Sequence, residues 1–288
     1  MDERAALAGL ADRLPDAGDD CAVVDQQVIT TDMLHERTDF PAGTTRYTAG
    51  WRAVGASLSD VAAMGADATA AVAAYGAPSF EADELTAFVD GARDVCDAVG
   101  AEYVGGDLDS HDEFTVATTA IGTATDPVRR SGASPGEAVC VTGTLGRSAV
   151  ALELFDRGDS DRANDLFQFH PRVRAGAALR PLATAMMDSS DGLARSLHQL
   201  AEASECGFAV EEPLPIDTTV DAITETPQEH RELGVFFGED FELVCTMPET
   251  AVSEARQAVP CQLHRIGTVT ENGVTLDGQP LPDRGYSH

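Results

Sequence analysis

The sequence contains no lysine, so all 19 of its Lys+Arg residues are arginines. This absence excludes enzymes with a Walker A phosphate loop, enzymes that form a Schiff base with a lysine amine, and protein kinases. Clusters of positive charge are also scarce, and the one adjacent pair of arginines is Arg129-Arg130. With 49 acidic residues and a net charge of −30, binding to nucleic acid or to an anionic membrane surface is not expected.

Long apolar runs are missing as well. The longest uncharged apolar stretch near the N-terminus, residues 68–80, is too short to span a bilayer, which takes about 20 residues. The first four residues are charged apart from Met1 and do not resemble a signal peptide. We therefore expect a soluble, cytoplasmic protein.

The six cysteines form no C-x-x-C pair, which argues against a zinc site and a disulfide framework. We interpret them as small apolar residues that pack in a reducing compartment. They are Cys21, Cys96, Cys140, Cys206, Cys245 and Cys261.

The acid excess itself indicates an adaptation to salt. At about 1 M salt the Debye length falls to roughly 3 Å, which screens most of the repulsion among surface carboxylates. The composition therefore favours a halophilic protein in a salt-rich cytoplasm, and an acidic surface that serves solubility alone stays an alternative. Most of the 49 acidic residues must then be solvated surface, so a functional acid has to be recognised by its local setting.

Strand and helix patterns alternate in both halves of the chain, which predicts an α/β fold with two domains. The stretch 126–136 carries two prolines and two glycines and is the predicted linker, so we place the domains at 1–125 and 126–288. The Asn272-Gly273 dipeptide predicts a hairpin over 263–276. The other predicted strands are 27–31, 70–75, 103–104, 114–124, 138–142 and 241–247, and the predicted helices are 5–14, 49–64, 85–99, 147–155, 172–182, 193–203 and 249–258.

Several acids stand at glycine turns or directly after predicted strands. Such chain ends line the crevice at the carboxyl edge of an open α/β sheet, and carboxylates there suit Mg²⁺. Two carboxylates 4 Å apart repel by about 4 kcal/mol at an effective dielectric of 20, so converging acids require a cation. Taken singly, each of these dipeptides is also explained by turn chemistry alone. The acids are Asp19, Asp20, Asp32, Asp60, Asp107, Asp188, Asp191, Glu239 and Asp240.

Seven short segments follow one another in an order that carries a resemblance to a known family. They are Gly18–Ala22, Thr30–Leu34, Leu58–Ala66, Gly105–Asp107, Arg130–Gly136, Asp188–Leu193 and Gly238–Leu243. Together they resemble the thiamine-monophosphate kinase family, a member of the aminoimidazole ribonucleotide synthetase superfamily. The resemblance extends from about Gly18 to the C-terminus, and the third and seventh segments distinguish this family best from its relatives.

The resemblance implies two α/β domains of the aminoimidazole ribonucleotide synthetase-like fold, with the N-terminal sheets of a homodimer paired into a barrel. It also implies transfer of the γ-phosphoryl of ATP to thiamine monophosphate, assisted by several Mg²⁺ ions and without a dedicated catalytic base. The residues that match the family's metal-binding positions are Asp20, Thr30, Thr31, Asp32, Asp60, Asp107, Asp188 and Asp191. Those that match its ATP contacts are Gly106, Asp107, Arg130 and Ser190, and those on the substrate side are Asp39, Glu239 and Tyr286.

One position departs from the family pattern. Asp39 stands where the family has a substrate-contacting histidine, and His35 is a weaker candidate to replace it. Two other functions stay open: an ATP-dependent synthetase of the same superfamily that forms an amidine or selenophosphate, and a non-catalytic acidic protein that binds cations.

Overall fold

A computed structural model of the chain describes residues 9, 14 and 18–286, so the helix predicted over 5–14 falls outside the continuous described part. The first sheet has five strands in the order β1-β2-β5-β3-β4, and β3 and β4 are its parallel pair. Its strands are β1 (Ala22–Val24), β2 (Gln27–His35), β3 (Asp67–Ala77), β4 (Glu102–Ser110) and β5 (Thr115–Thr123).

Within residues 18–125, the helices are α1 (Glu36–Asp39), α2 (Arg46–Ala63) and α3 (Ala82–Val99). Helix α2 begins after Thr45, whose hydroxyl accepts a hydrogen bond from the Thr48 N–H. It lies very close to α3, because a Cβ at Gly50 would fall 2.1 Å from a backbone oxygen of α3. Most residues of α2 are buried, so this helix is packed on nearly all sides.

The second sheet has seven strands in the order β12-β11-β8-β10-β6-β9-β7. Its strands are β6 (Ala138–Thr142), β7 (Ala185–Asp188), β8 (Gly207–Val210), β9 (Leu243–Met247), β10 (Leu263–Thr270), β11 (Val274–Leu276) and β12 (Gln279–Pro280). The helices of this half are α4 (Arg147–Asp156), α5 (Ser160–Phe167), α6 (Val173–Leu179), α7 (Leu193–Ser204), α8 (Pro227–Phe236) and α9 (Val252–Ala258), with 3₁₀ turns at Thr218–Ala222 and Glu249–Ala251.

One continuous apolar core joins the two halves. Leu58 and Val61 of α2 belong to the same buried cluster as Leu243 and Met247 of β9. The first sheet ends at Thr123 and the second begins at Ala138, while the division at residue 125 stays a prediction. Four cysteines are buried and Cys206 and Cys261 are half-buried, and all six are free thiols.

The hairpin predicted over 263–276 is wrong. Strands β10 and β11 do not pair with each other, because β8 lies between them, antiparallel to β10 and parallel to β11. The Phe208 N–H donates to the Gly273 carbonyl oxygen at 2.8 Å, and the absence of a side chain at Gly207 lets β8 pass against Asn272. The hairpin that does form joins β11 to β12 through Asp277 and Gly278, which both have positive φ.

Two strands are longer than predicted, and this changes where their acids lie. Asp32 is inside β2 instead of following it, and the segment Gly105–Asp107 is inside β4. The period of a strand therefore decides which face of the sheet each of these side chains occupies.

Among the described residues, helices cover one face of the first sheet and leave the other face open. Apolar side chains are exposed on that open face, among them Met33 at 63% and Val104 at 59%, with Val72. None of the described helices is long and apolar enough to cross a membrane.

Candidate functional site

Three carboxylates from distant parts of the chain meet in one cluster. Asp20 precedes β1, Asp60 lies in the last turn of α2, and Asp188 ends β7. Each offers a carboxylate oxygen, and these oxygens all lie within 4.8 Å of one another. Asp20 and Asp188 are buried, and Asp60 is partly buried. We call these three residues the acidic cluster.

Hydroxyl groups and one arginine surround the acidic cluster. The Thr30 hydroxyl donates to Asp60 at 2.5 Å, and the Ser59 hydroxyl donates to Asp188 at 2.6 Å. The Arg130 guanidinium donates to Asp20 at 2.8 Å. Among the described residues Arg130 is the cation that contacts this cluster, so one positive charge faces three carboxyl groups.

Asp32 lies beside the cluster on the same face of β2 as Thr30. Its carboxylate accepts a hydrogen bond from the Ser57 hydroxyl at 2.6 Å. Burial raises the pKa of Asp32, and the Asp32 charge is the largest electrostatic contribution, after burial, that raises the pKa of Asp60. Helix α2 therefore presents Ser57, Ser59 and Asp60 to acids of three other segments.

The electrostatics of the cluster favour a bound cation. Burial and then the Asp20 charge raise the pKa of Asp188 to about 8, against the lowering effect of Ser59. Burial is also the main reason why the pKa of the neighbouring Cys21 thiol is raised, and the nearby aspartate charges add to it. A divalent ion would remove this penalty, and closely spaced carboxylate and hydroxyl oxygens are the donors that Mg²⁺ prefers. The residues present therefore fit Mg²⁺.

Thr30 and Asp32 lie beside the acidic cluster, and three further predicted metal-binding residues are not members of it. The Thr31 side chain alternates to the other face of β2, where its hydroxyl donates to the Thr118 carbonyl oxygen at 2.8 Å. Asp107 is exposed and is the register partner of the exposed Ala74 on β3. Asp191 is half-buried beyond the end of β7, and its carbonyl oxygen accepts from the Tyr286 N–H at 2.9 Å.

Within one chain Asp107 is far from Asp32. Strands β2 and β4 are separated by β5 and β3, and three spacings of about 4.8 Å amount to roughly 14 Å. Side chains at that distance, on opposite faces of the sheet, cannot ligate one ion.

The predicted nucleotide contacts fall into two places. Gly106 and Asp107 line a cavity of about 670 Å³ at the β4 edge, together with apolar and aromatic side chains such as Phe88 and Tyr103. Arg130 is at the acidic cluster, and Ser190 lies two residues after Asp188, with its carbonyl oxygen accepting from the Glu239 N–H.

The three predicted substrate contacts meet in one place. Asp39, Glu239 and Tyr286 line a cavity of about 190 Å³, together with Phe167 and Arg37. We call it the small cavity. Asp39 is the last residue of α1, and its carboxylate accepts from the backbone N–H of His35 at 2.7 Å. This hydrogen bond holds the carboxylate against the residue that precedes the helix.

His35 is not among the residues that line the small cavity. Its ring Nδ1 lies 3.0 Å from the Thr115 hydroxyl. Of the two candidates for the position of the family's histidine, the structure therefore places Asp39, and not His35, at the cavity.

The three acids of the loop from Gly238 to Glu242 contact three different groups. Asp240 accepts from the backbone N–H groups of Gly146 and Ser148 at the start of α4, and burial raises its pKa to about 7. Glu242 pairs with Arg172 and accepts from the Thr142 hydroxyl at 2.6 Å. Glu239 is left to reach the small cavity, and its φ of 62° lies in the left-handed region.

Sequence reasoning missed Arg52, which is 2% exposed and forms an ion pair with Glu239. An arginine among the apolar residues of a helix has no turn or glycine beside it that would single it out. It also missed the hydroxyls of Ser57 and Ser59, although the position of Ser59 next to Asp60 was a usable signal.

Comparison with known proteins identifies the domains. Residues 18–124 match the family described as AIR synthase related protein, N-terminal domain, and residues 134–278 match the corresponding C-terminal domain. The chain is 64% identical to the thiamine-monophosphate kinase of Halobacterium salinarum over 291 residues, which cover all of both chains. It is 42% identical to that of Methanospirillum hungatei, over 94% of this chain and 92% of the relative.

Solved structures agree with the sequence matches. The fold is similar to AaThiL complexed with AMPPCP and TMP, with a TM-score of 0.88, 27% identity and coverage of 99% of this chain and 96% of that one. It is also similar to thiamine-monophosphate kinase from Stenotrophomonas maltophilia, with a TM-score of 0.82, 29% identity and coverage of 96% of each chain. The predicted fold, two α/β domains of this family, is therefore confirmed.

Proposed function

This chain belongs to the thiamine-monophosphate kinase family, and we propose that it transfers the γ-phosphoryl group of ATP to thiamine monophosphate, giving thiamine diphosphate and ADP. The relatives support this reaction by their sequence identity over the whole chain. The observation that carries it in the structure is the acidic cluster, because carboxylates from three distant segments are brought together there. Neither protein stability nor solubility explains such an arrangement.

We propose that Asp20, Asp60 and Asp188 hold Mg²⁺, with Asp32 beside them. Bound there, Mg²⁺ supplies positive charge that lets two polyanions approach each other and offsets the charge of the transferring group. The hydroxyls of Thr30, Ser57 and Ser59 keep the carboxylates in place. The metal-binding roles predicted for Thr31, Asp107 and Asp191 stay proposals.

The residues of the chain need to supply positioning and charge, and no general base is required. The second pKa of a phosphate monoester is about 6, so the attacking oxygen of thiamine monophosphate is already anionic at neutral pH. Arg130 contributes a cation that stays charged at any working pH, at a position fixed by Asp20. Ser190 lies on the loop that leads away from Asp188, and we propose that it contacts the phosphates.

We propose that the small cavity binds the thiamine part of the substrate. The thiazolium ring is a cation, and the cavity presents the carboxylates of Asp39 and Glu239 and the rings of Phe167 and Tyr286. Carboxylates and aromatic faces are the groups that stabilise a bound organic cation. Asp39 replaces a neutral or positive histidine with a negative charge, which strengthens this complementarity.

We propose that the chain works as a homodimer in which the open face of the first sheet is covered. Met33, Val72 and Val104 are exposed apolar side chains that a partner sheet would bury. We further propose that, in this dimer, Asp107 on β4 of one subunit lies at the acidic cluster of the other. ATP would then contact both subunits, with its base in the cavity lined by Gly106.

The proposed reaction is tested by incubating the protein in molar KCl with ATP, Mg²⁺ and thiamine monophosphate, and measuring thiamine diphosphate by chromatography. We expect one thiamine diphosphate for each ADP, and none with the Asp188→Asn variant or in excess EDTA. ATP hydrolysis without thiamine diphosphate would instead point to another synthetase of the superfamily. Binding of Mg²⁺ that is unaffected by ATP would point to a non-catalytic cation-binding protein.

A further inference from the structure

Arg52 is a buried cation in an aromatic setting. Its guanidinium lies 3.6 Å from the centre of the Phe167 ring, and the rings of Phe169 and Phe241 are at 5.3 and 5.6 Å. Those last two rings stack on each other with centres 4.1 Å apart. Burying a guanidinium is costly unless its hydrogen bonds and its charge are matched.

The Glu239 carboxylate forms an ion pair with Arg52 and offsets its charge. The guanidinium also donates to the Phe167 carbonyl oxygen at 2.6 Å, which fixes the group from the other side. A planar donor held by a ring, a carbonyl oxygen and a carboxylate has little freedom to rotate. Arg52 is therefore a rigid support for Glu239.

The backbone of Glu239 is fixed independently of this ion pair. Its N–H donates to the Ser190 carbonyl oxygen at 2.6 Å, and its own carbonyl oxygen accepts from the Ser148 hydroxyl at 2.6 Å. With the backbone held and φ in the left-handed region, the remaining freedom of Glu239 lies in its side chain. The contact with Arg52 holds the carboxylate at the wall of the small cavity.

Helix α2 links this contact to the acidic cluster. Arg52 and Asp60 are eight residues apart on one helix, which is about 12 Å at a rise of 1.5 Å per residue. The helix is buried and packed tightly on its neighbours, so this spacing is rigid. Helix α2 thus fixes the distance between the Glu239 carboxylate at the small cavity and Asp60 at the proposed metal site.

We propose that Arg52 is a positioning residue for the thiamine monophosphate subsite, which holds the Glu239 carboxylate toward the substrate at a fixed distance from the acidic cluster. This inference rests on the proposed function. It assigns Arg52 no contact with the reacting phosphates. Loss of Arg52 should therefore weaken binding of thiamine monophosphate and leave the use of ATP nearly unchanged.

The test measures KM for each substrate separately. For Arg52→Gln we expect KM for thiamine monophosphate to rise about tenfold or more, with KM for ATP within about twofold of wild type. Arg52→Lys should recover part of the loss, since it keeps the charge and loses the planar fork. Calorimetric titration with thiamine monophosphate and Mg²⁺ should show the same loss of affinity without turnover.

A double-mutant cycle with Glu239→Gln separates positioning from general damage. Because Arg52 acts through Glu239, the double variant should bind thiamine monophosphate no more weakly than the worse of the two single variants. The matched control is Arg46→Gln on the same helix. Arg46 also lies over an aromatic ring, that of Phe114, and pairs with Glu36, but it does not line the small cavity.

Arg52 would not be a positioning residue if Arg52→Gln raised KM for thiamine monophosphate and KM for ATP equally. The same follows if the binding losses of Arg52→Gln and Glu239→Gln add in the double variant. If Arg52→Gln does not fold, as judged by circular dichroism and thermal unfolding, Arg52→Lys with Glu239→Gln provides the same cycle. Failure of the proposed function is distinguishable, because the wild-type protein would then form no thiamine diphosphate at all. If the wild-type protein forms thiamine diphosphate but the Arg52 variant has an unchanged KM for thiamine monophosphate, the positioning role of Arg52 is wrong and the proposed function stands.

Discussion

At the Asp188 carboxyl, the free-energy cost of burying a negative charge in the acidic cluster falls on a single residue. Asp188 is 2% exposed, the charge of its neighbour Asp20 opposes its ionisation, and the Ser59 hydroxyl donates to its carboxylate. Ionised without a cation, it opposes folding; protonated or bound to a metal ion, it does not. The stability of the protein should therefore depend on pH and on Mg²⁺ together.

The first prediction concerns that dependence. The pKa of Asp188 is about 8 in the folded state and about 4 when unfolded, so between these values the folded state binds more protons. Without divalent ions, thermal stability should then fall as pH rises from about 5 to about 8. We expect Mg²⁺ to raise the midpoint of thermal unfolding more at pH 8 than at pH 5.

Asp188→Asn provides the comparison for this experiment. The variant should lose much of the fall in stability with pH, and Mg²⁺ should stabilise it less. A wild-type protein that becomes more stable from pH 5 to pH 8 in EDTA would contradict the electrostatic account of the cluster.

The second prediction tests Asp32. Asp32→Asn removes a negative charge next to Asp60 while the Ser57 hydroxyl can still donate to the amide oxygen. We expect kcat to fall by about 100-fold or more at saturating Mg²⁺, with the fold retained. The matched control is Asp25→Asn, at an exposed turn whose φ of 56° asparagine also adopts, and its turnover should not change. Near-normal turnover of Asp32→Asn at limiting Mg²⁺ would remove Asp32 from the site.

At the level of elements, periodicity and glycine placement predicted most helices and strands, because these signals are local. Helix α3 ends at Gly100, which has the left-handed conformation, as the sequence indicated. The false hairpin shows the limit of local signals. The Asn272-Gly273 turn fixes the direction of the chain, but whether β8 enters between the flanking strands depends on tertiary pairing.

The same limit applies to the site. Local signals marked Asp20, Asp60 and Asp188 together with six other acids, and the family resemblance, not the turn context, assigned these three to a metal site. Local signals were not enough to place Asp107, whose face of the sheet depends on a register shift between Ala71 and Val72. Arg52 was missed because nothing local distinguishes it from any other arginine on a helix.

The C-terminal segment is an element that brings Tyr286 to the small cavity. The segment is held by an ion pair between Arg195 and Asp283 at 3.0 Å, and by the Tyr286 N–H on the Asp191 carbonyl oxygen. It lies so close to Asp191 that a Cβ at Gly285 would be 2.4 Å from that carbonyl oxygen. The segment thus touches both the small cavity and the loop that follows Asp188.

The third prediction follows from this contact. Gly285→Ala should push the segment away from Asp191 and displace Tyr286. We expect KM for thiamine monophosphate to rise about fivefold or more, with a smaller change in KM for ATP. Tyr286→Ala should give a similar rise, and Tyr286→Phe a smaller one, since the ring is kept. Unchanged KM values in Gly285→Ala would show that the segment adapts without moving the tyrosine.

At the level of the whole molecule, the net charge and the open face of the first sheet have opposite effects on the association of two chains. Two chains of net charge −30 repel, while the exposed apolar face of the first sheet favours their association. Salt screens the repulsion and strengthens apolar burial, so a salt-rich medium favours the proposed dimer on both counts. Because Asp32 and Asp107 are far apart within one chain, substitutions at these two residues can be compared in mixed dimers.

The fourth prediction is that two inactive variants restore each other when they share a dimer. If Asp107 serves the partner's acidic cluster, a heterodimer of Asp32→Asn and Asp107→Asn contains one site with both acids intact. With equal amounts of the two chains and random pairing, half of the dimers are mixed, so about a quarter of wild-type turnover should return. The measurement uses co-expressed chains with different tags, assayed in molar KCl.

Asp32→Asn combined with Asp60→Asn is the matched control for this mixture. Both acids belong to the cluster of a single chain, so every site in the mixed dimer lacks one of them and turnover should stay at the level of the single variants. Recovery in this control would mean that chains recombine in some other way. No recovery with Asp107→Asn, in dimers shown to be mixed, would place Asp107 outside the partner's site and leave the acidic cluster to work within one subunit.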